Sequence, residues 1–89
     1  MLIALDYDET YTADPVLWDR FIGDANDHGH TVWIVTARRD TEENRAVVDV
    51  PGCLTVFTSL ASKTQFMEQR GIRVDIWIDD DPVKLVYGH

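Results

Sequence analysis

Asp6 and Asp8 stand two residues apart in the stretch Leu5-Asp6-Tyr7-Asp8-Glu9-Thr10, directly after the apolar run Met1-Leu2-Ile3-Ala4. Like charges packed this closely at the end of a buried strand repel, and burial strengthens the repulsion. A second acidic group, Asp79-Asp80-Asp81, follows the mostly apolar stretch Val74–Ile78. If both groups meet at one sheet edge, they need a counter-charge. A hard divalent cation supplies one, and magnesium typically takes one or two carboxylates together with phosphate and water. Asp6 and Asp79 each end a strand, which makes them the natural direct ligands; Asp80 would bind directly or through a water. Thr36 offers a hydroxyl, and the backbone from Ala37 onward offers amide donors to an anion. Lys63 adds a positive point charge. Together these residues describe a phosphate beside a metal ion.

The elements that must position them are legible as alternating apolar runs and amphipathic stretches. Leu2–Leu5, Thr31–Val35, Leu54–Phe57 and Val74–Ile78 read as short strands. Their nearly continuous apolar character suits a parallel sheet covered on both faces. Asp14 and Pro15 start a first helix and Gly29 ends it, with Leu17, Trp18, Phe21, Ile22 and Ala25 on its apolar face. A second helix is expected from Asp40, with Glu43 at capping-box spacing, stopping before Pro51-Gly52. A third starts at Ser62, with Gln65 at the matching position, and ends at Gly71. Asp81-Pro82 opens a short terminal segment. The order β-α-β-α-β-α-β reads as an α/β fold with right-handed crossovers, in which ligands bind at the carboxyl ends of the strands. Asp6–Thr10, Thr36–Arg39, Thr58-Ser59 with Lys63, and Asp79–Asp81 all fall at that edge.

Composition narrows the setting. The chain has 89 residues, 45% of them apolar, which predicts one folded domain over 1–89. The lone Cys53 rules out an internal disulfide and fits a reducing, cytoplasmic location. No apolar run approaches the roughly 20 residues of a membrane span, and no signal-peptide pattern is read at Met1. A net charge of -8 disfavours non-specific binding to nucleic-acid backbones and anionic membranes.

Four segments, in order, resemble the motifs of the haloacid-dehalogenase-like (HAD) phosphohydrolases. Asp6-Tyr7-Asp8-Glu9-Thr10 resembles the first, an Asp-x-Asp-x-Thr after an apolar strand. Val32–Thr36 resembles the second, a strand ending in Ser or Thr. Lys63 resembles the third, and Ile76–Asp80 the fourth, a strand ending in paired acids. The set spans residues 6 to 80. The resemblance implies a Rossmann-like three-layer sandwich with a mainly parallel four-stranded sheet in order 3-2-1-4. It also implies a magnesium-dependent phosphatase. Asp6 would be the nucleophile, forming an aspartyl-phosphate. Asp8 would act as acid and then base, and its backbone carbonyl would bind magnesium. Thr10 would steady the loop. Thr36 and Ala37 would bind the phosphoryl group, and Lys63 would neutralise charge. Asp79 and Asp80 would complete the metal site.

Two departures from the family pattern stand out. Glu9 occupies a position that is often glycine, so its side chain must point out of the loop or reach the substrate entrance. No segment is long enough for a cap domain, so specificity must come from loops, a partner or a large substrate. Arg38, Arg39, Glu9 and Thr10 are the candidate substrate contacts. Thr36-Ala37-Arg38 and Asp79-Asp80 look closest to nucleotidases and polynucleotide 3′-phosphatases. A HAD-like binding module with little turnover, acting through a protein partner, is the alternative.

Other residues read as structural. Asp81 reads as a helix cap, and Lys84 is the only other lysine. His28 and His30 flank Gly29 at the far end of the sheet, and His89 is terminal. Trp33 and Trp77 belong to core or interface, and Cys53 to a buried small-residue position. In the implied strand order, two helices would cover one face and one helix plus the tail the other. That imbalance predicts exposed apolar surface, and with it a homodimer or a docked partner.

Overall fold

The computed structural model describes residues 1–88; His89 lies outside them. Strands β1 (Leu2–Leu5), β2 (Thr31–Thr36), β3 (Leu54–Phe57) and β4 (Ile76–Ile78) form one sheet in the order β3-β2-β1-β4. Every pairing is parallel. Helices α1 (Pro15–Asp27), α2 (Glu42–Val47) and α3 (Lys63–Gln69) connect the strands, and α4 (Pro82–Tyr87) follows β4. A 3-10 turn over Tyr11–Ala13 leads from the first acidic loop into α1. No helix among the described residues is long and apolar enough to cross a membrane.

The strands are mostly apolar because most of the sheet is covered on both faces. Ile3, Leu5, Val32 and Ile34 pack with Ile22 and Ala25 of α1, and with Val48 and Val50 beyond α2. On the other face Ala4 and Val35 pack with Met67 of α3, flanked by Trp33, Val56, Phe66 and Trp77. Leu5, Ile34 and Met67 are among the largest fully buried side chains, each contributing about 1.5–3 kcal/mol of burial.

The helices start where side chains can satisfy their first amides. The Asp14 carboxylate accepts the Leu17 N–H at 3.2 Å, and Pro15 takes the first helical position. Ser62 accepts from the Gln65 N–H, and Asp81 from the Lys84 N–H.

Three sequence expectations need correction. First, α2 is capped by Thr41, whose hydroxyl accepts the Asn44 N–H at 3.1 Å. Asp40, the expected cap, instead pairs with the Arg45 guanidinium at 2.6 Å. Second, β4 begins at Ile76 rather than Val74. There the Leu2 N–H donates to the Asp75 side chain at 2.8 Å, which replaces a ladder bond, while Ile72 and Val74 pack beneath α3. Third, Leu17 is 52% exposed. The inward stripe of α1 is Trp18, Phe21, Ile22 and Ala25, at helical spacing, and Leu17 falls one residue short of it.

Coverage is incomplete at β4. Ile76 is 40% exposed, and a groove of about 410 Å³ lies between α1 and β4, lined by Ile3, Phe21, Ala25, Ile76 and Ile78.

At the other end of β4, α4 is fastened to the start of α3. The Ser62 hydroxyl donates to the Val86 carbonyl, and Gly88, with φ of +79°, sits against residues 60–62. A Cβ at Gly88 would lie 2.8 Å from the Ser62 nitrogen and 3.0 Å from the Leu60 oxygen, both backbone atoms. Gly88→Ala therefore combines a left-handed conformation with a backbone clash. We expect a loss of about 1–3 kcal/mol, read as a lower thermal midpoint or as fraying of α4 in hydrogen exchange.

Candidate active site

The carboxyl ends of the strands surround a cleft of about 250 Å³, lined by Asp6, Asp8, Glu9, Thr36, Ala37, Lys63, Asp79, Asp80, Asp81 and Lys84. Its floor is Asp6. The Asp6 N–H still bonds to Ile78 of the neighbouring strand at 2.9 Å, so sheet pairing fixes the residue that follows β1. Asp6 is 7% exposed and Lys63 4%.

Lys63 lies at the start of α3, and its ammonium reaches both Asp6 Oδ1 and Asp79 Oδ2 at 2.6 Å. The Thr10 hydroxyl donates to Asp6 Oδ2 at 3.1 Å. Asp79 is fixed further by the Asp81 N–H, which donates to its Oδ1 at 2.9 Å. Burial pushes the Asp6 carboxyl up to about 6, against the downward pull of Lys63.

One oxygen each from Asp6, Asp79 and Asp80 come within 4.8 Å of one another. Three hard oxygen donors at one point suit magnesium, manganese or calcium rather than softer metals. A lysine already bridges two of them, which is the same need for positive charge met from within the chain. This donor set fits a divalent cation.

Asp8 sits higher and is half-exposed. Arg38 holds it in a fork, Nε to Oδ2 at 2.9 Å and Nη2 to Oδ1 at 2.8 Å. That contact keeps the Asp8 carboxyl below its ordinary range. Arg38 is positioned in turn by Asn44 of α2 at 3.2 Å and by the Tyr7 ring, 5.4 Å from its guanidinium carbon. Thr36 is buried, and its hydroxyl accepts the Arg38 N–H at 3.3 Å.

Glu9 has a φ of 63°, which explains why a glycine would be comfortable at this position. Its N–H donates to the Thr12 hydroxyl at 2.9 Å, holding the turn. A non-glycine residue in this region costs about 1–2 kcal/mol, partly offset by the greater unfolded-state freedom of glycine. Glu9→Gly is expected to raise stability by about 0.5 kcal/mol, measurable by urea denaturation.

Most of the residues singled out in the sequence therefore meet: Asp6, Asp8, Glu9, Thr36, Ala37, Lys63, Asp79 and Asp80 all line the cleft. Thr10 lies beneath it, bonded to Asp6, rather than at a substrate-contacting surface. Arg38 faces Asp8. Arg39 is exposed and outside the lining; its carbonyl accepts from Asn44 Nδ2 at 2.9 Å. Two participants, Asn44 and Lys84, went unseen in the sequence, and Asp81, placed at this edge, was read only as a helix cap. Asn44 stands three residues after the true cap Thr41. Asp81 and Lys84 reach the cleft because a proline-started helix turns back after β4. A cap at Asp81 followed at i+3 by the only other lysine was the available signal.

No protein family, curated protein or solved structure compared with the chain matches it.

Proposed function

We propose that this protein is a HAD-like, magnesium-dependent phosphomonoester hydrolase that works through an aspartyl-phosphate on Asp6. One observation carries the reading: a buried carboxylate, braced by Lys63 and Thr10, floors a cleft that also holds Asp8, Thr36, Asp79 and Asp80. Asp6, Asp79, Asp80 and the Asp8 carbonyl would hold the metal. When bound, magnesium offsets negative charge on the phosphoryl oxygens and on the acids around them.

In this reading the phosphoryl group rests near Thr36, the Ala37 amide and Lys63. An Asp6 oxygen attacks phosphorus, and the bond from phosphorus to the ester oxygen breaks. The departing alkoxide takes a proton from Asp8. A water then attacks the phosphorus, Asp8 takes its proton, and the Asp6–phosphorus bond breaks to release phosphate. Lys63 keeps Asp6 oriented and lowers the repulsion between two anions.

The cleft is smaller than the roughly 300–1,000 Å³ of typical small-molecule pockets, and no inserted domain covers it among the described residues. It accommodates a phosphoryl group while the rest of the substrate stays outside. Nucleotides and 3′-phosphorylated oligonucleotides therefore belong in the test panel beside sugar phosphates. Magnesium-dependent release of phosphate from any of them supports the proposal; inactivity across the panel with magnesium bound overturns it.

A second reading keeps one specific observation. A general acid should carry a proton, yet Arg38 favours the ionised form of Asp8. That favours a metal- and phosphate-binding module with slow turnover, and the same panel separates the two.

Acidity gives a further test. Asp6 must be ionised both to attack and to bind metal, and its carboxyl stands at about 6. Magnesium affinity, measured by calorimetry, is expected to fall by about tenfold per pH unit well below that value. The metal-free protein should behave oppositely. Its folded value lies above the unfolded value of about 3.9, so ionising Asp6 costs stability. The metal-free fold is therefore expected to lose stability as pH rises from about 4 to 6.

A further inference from the structure

We propose that Lys84 determines specificity by receiving a second anionic group of the substrate, a carboxylate or phosphate carried on the alcohol side of the phosphoryl group. The inference rests on the phosphomonoester reading above and deepens it.

The charges lining the cleft sort themselves by contact. Lys63 is engaged at 2.6 Å by both Asp6 and Asp79. Arg38, just outside the lining, is engaged by Asp8 at 2.8 Å. Lys84 differs. Its ammonium lies 3.9 Å from Asp81 Oδ2, beyond hydrogen-bond distance, and its side chain is 52% exposed. Asp81 itself is held in place: its Oδ1 accepts the Lys84 N–H as the cap of α4, and its own N–H goes to Asp79.

Among the described residues lining the cleft, Lys84 is the cation whose ammonium makes no hydrogen bond. It stands on α4 and lines the same cleft as the acids proposed to hold the metal, a cleft too small for more than the phosphoryl group. A flexible ammonium there reaches outward to the part of the substrate that stays outside. Glu9 on the first loop also lines the cleft and has the opposite sign, so it would favour an amine and the two side chains make opposing predictions about the alcohol.

The test uses stable phosphonates, so it does not depend on turnover. Binding of ethylphosphonate, phosphonoacetate, phosphonopropionate, phosphonobutyrate, alkylene bisphosphonates of matching lengths and aminoethylphosphonate is measured by calorimetry in saturating magnesium. The tightest carboxy- or bisphosphonate is expected to bind about fivefold better than ethylphosphonate, the upper range for a partly exposed ion pair. Lys84→Gln should reduce that preference below about twofold, and Lys84→Arg should retain most of it. The carboxylate and bisphosphonate arms tell which anion is preferred. An equal preference in the original protein and in Lys84→Gln overturns the inference, as does tightest binding of aminoethylphosphonate. Lys84-dependent binding without hydrolysis of the matching ester upholds the inference while overturning the hydrolase reading.

Discussion

Asp6→Asn is expected to reduce phosphate release by at least about a thousandfold while leaving the fold intact. An amide can neither attack phosphorus nor offer a charged ligand, and loss of a covalent nucleophile costs at least this much in enzymes where the loss has been measured. The fold should tolerate the change because it is isosteric. The amide oxygen can take the Oδ1 place against Lys63 while the amide nitrogen donates to the Thr10 hydroxyl, and Lys63 keeps its contact with Asp79 at 2.6 Å. Removing one of three crowded acids also relieves repulsion. Metal-free stability should therefore change by less than about 1 kcal/mol. Stabilisation by magnesium should shrink, since the ion loses a ligand. A variant that lost activity by unfolding would fail the stability half of this prediction.

Lys63→Met is expected to do the reverse, with a large effect on the fold that depends on metal. Lys63 is 4% exposed and neutralises two carboxylates that are themselves nearly buried. Methionine fills a similar volume but leaves Asp6 and Asp79 facing each other without a cation. Breaking a buried ion pair from one side costs about 3–5 kcal/mol. For a domain of this size that lowers the midpoint by roughly 12–40 °C. Magnesium should restore part of the loss, because it brings positive charge to the same carboxylates. Lowering the pH toward 5 should restore part as well, because Asp6 then takes up a proton. A plain packing defect would respond to neither. Calorimetric melts of Lys63→Met at two pH values, with and without magnesium, distinguish these outcomes.

The sequence made the scaffold readable because its signals were redundant. Four apolar runs separated by capped helices leave few topologies, and Asp14, Ser62 and Asp81 each sit where a side chain satisfies the first amides. Reading failed where two neighbours offered the same chemistry. Asp40 with Glu43 and Thr41 with Asn44 share one spacing, and only the Arg45 contact removes Asp40 from the choice.

The site followed from strand ends. Asp6, Thr36 and Asp79 are placed by the sheet itself, and Lys63 by the Ser62 cap. Contacts that depend on loop paths were not legible. Sequence spacing does not show that Arg38 closes on Asp8 rather than facing a substrate, nor that α4 brings Lys84 back over the acids. Glu9 lies between these cases. Its departure from glycine was visible in the sequence, and the structure gives the cost as a φ of 63°.

The proposed catalysis turns on a covalent bond between Asp6 and a phosphoryl group. Acid quenching of the protein during turnover of the best substrate, followed by mass spectrometry of its peptides, tests this directly. A phosphoryl adduct is expected on the peptide containing Asp6, dependent on magnesium and absent in Asp6→Asn. Sustained magnesium-dependent turnover with no adduct at Asp6, and with activity retained in Asp6→Asn, would contradict it.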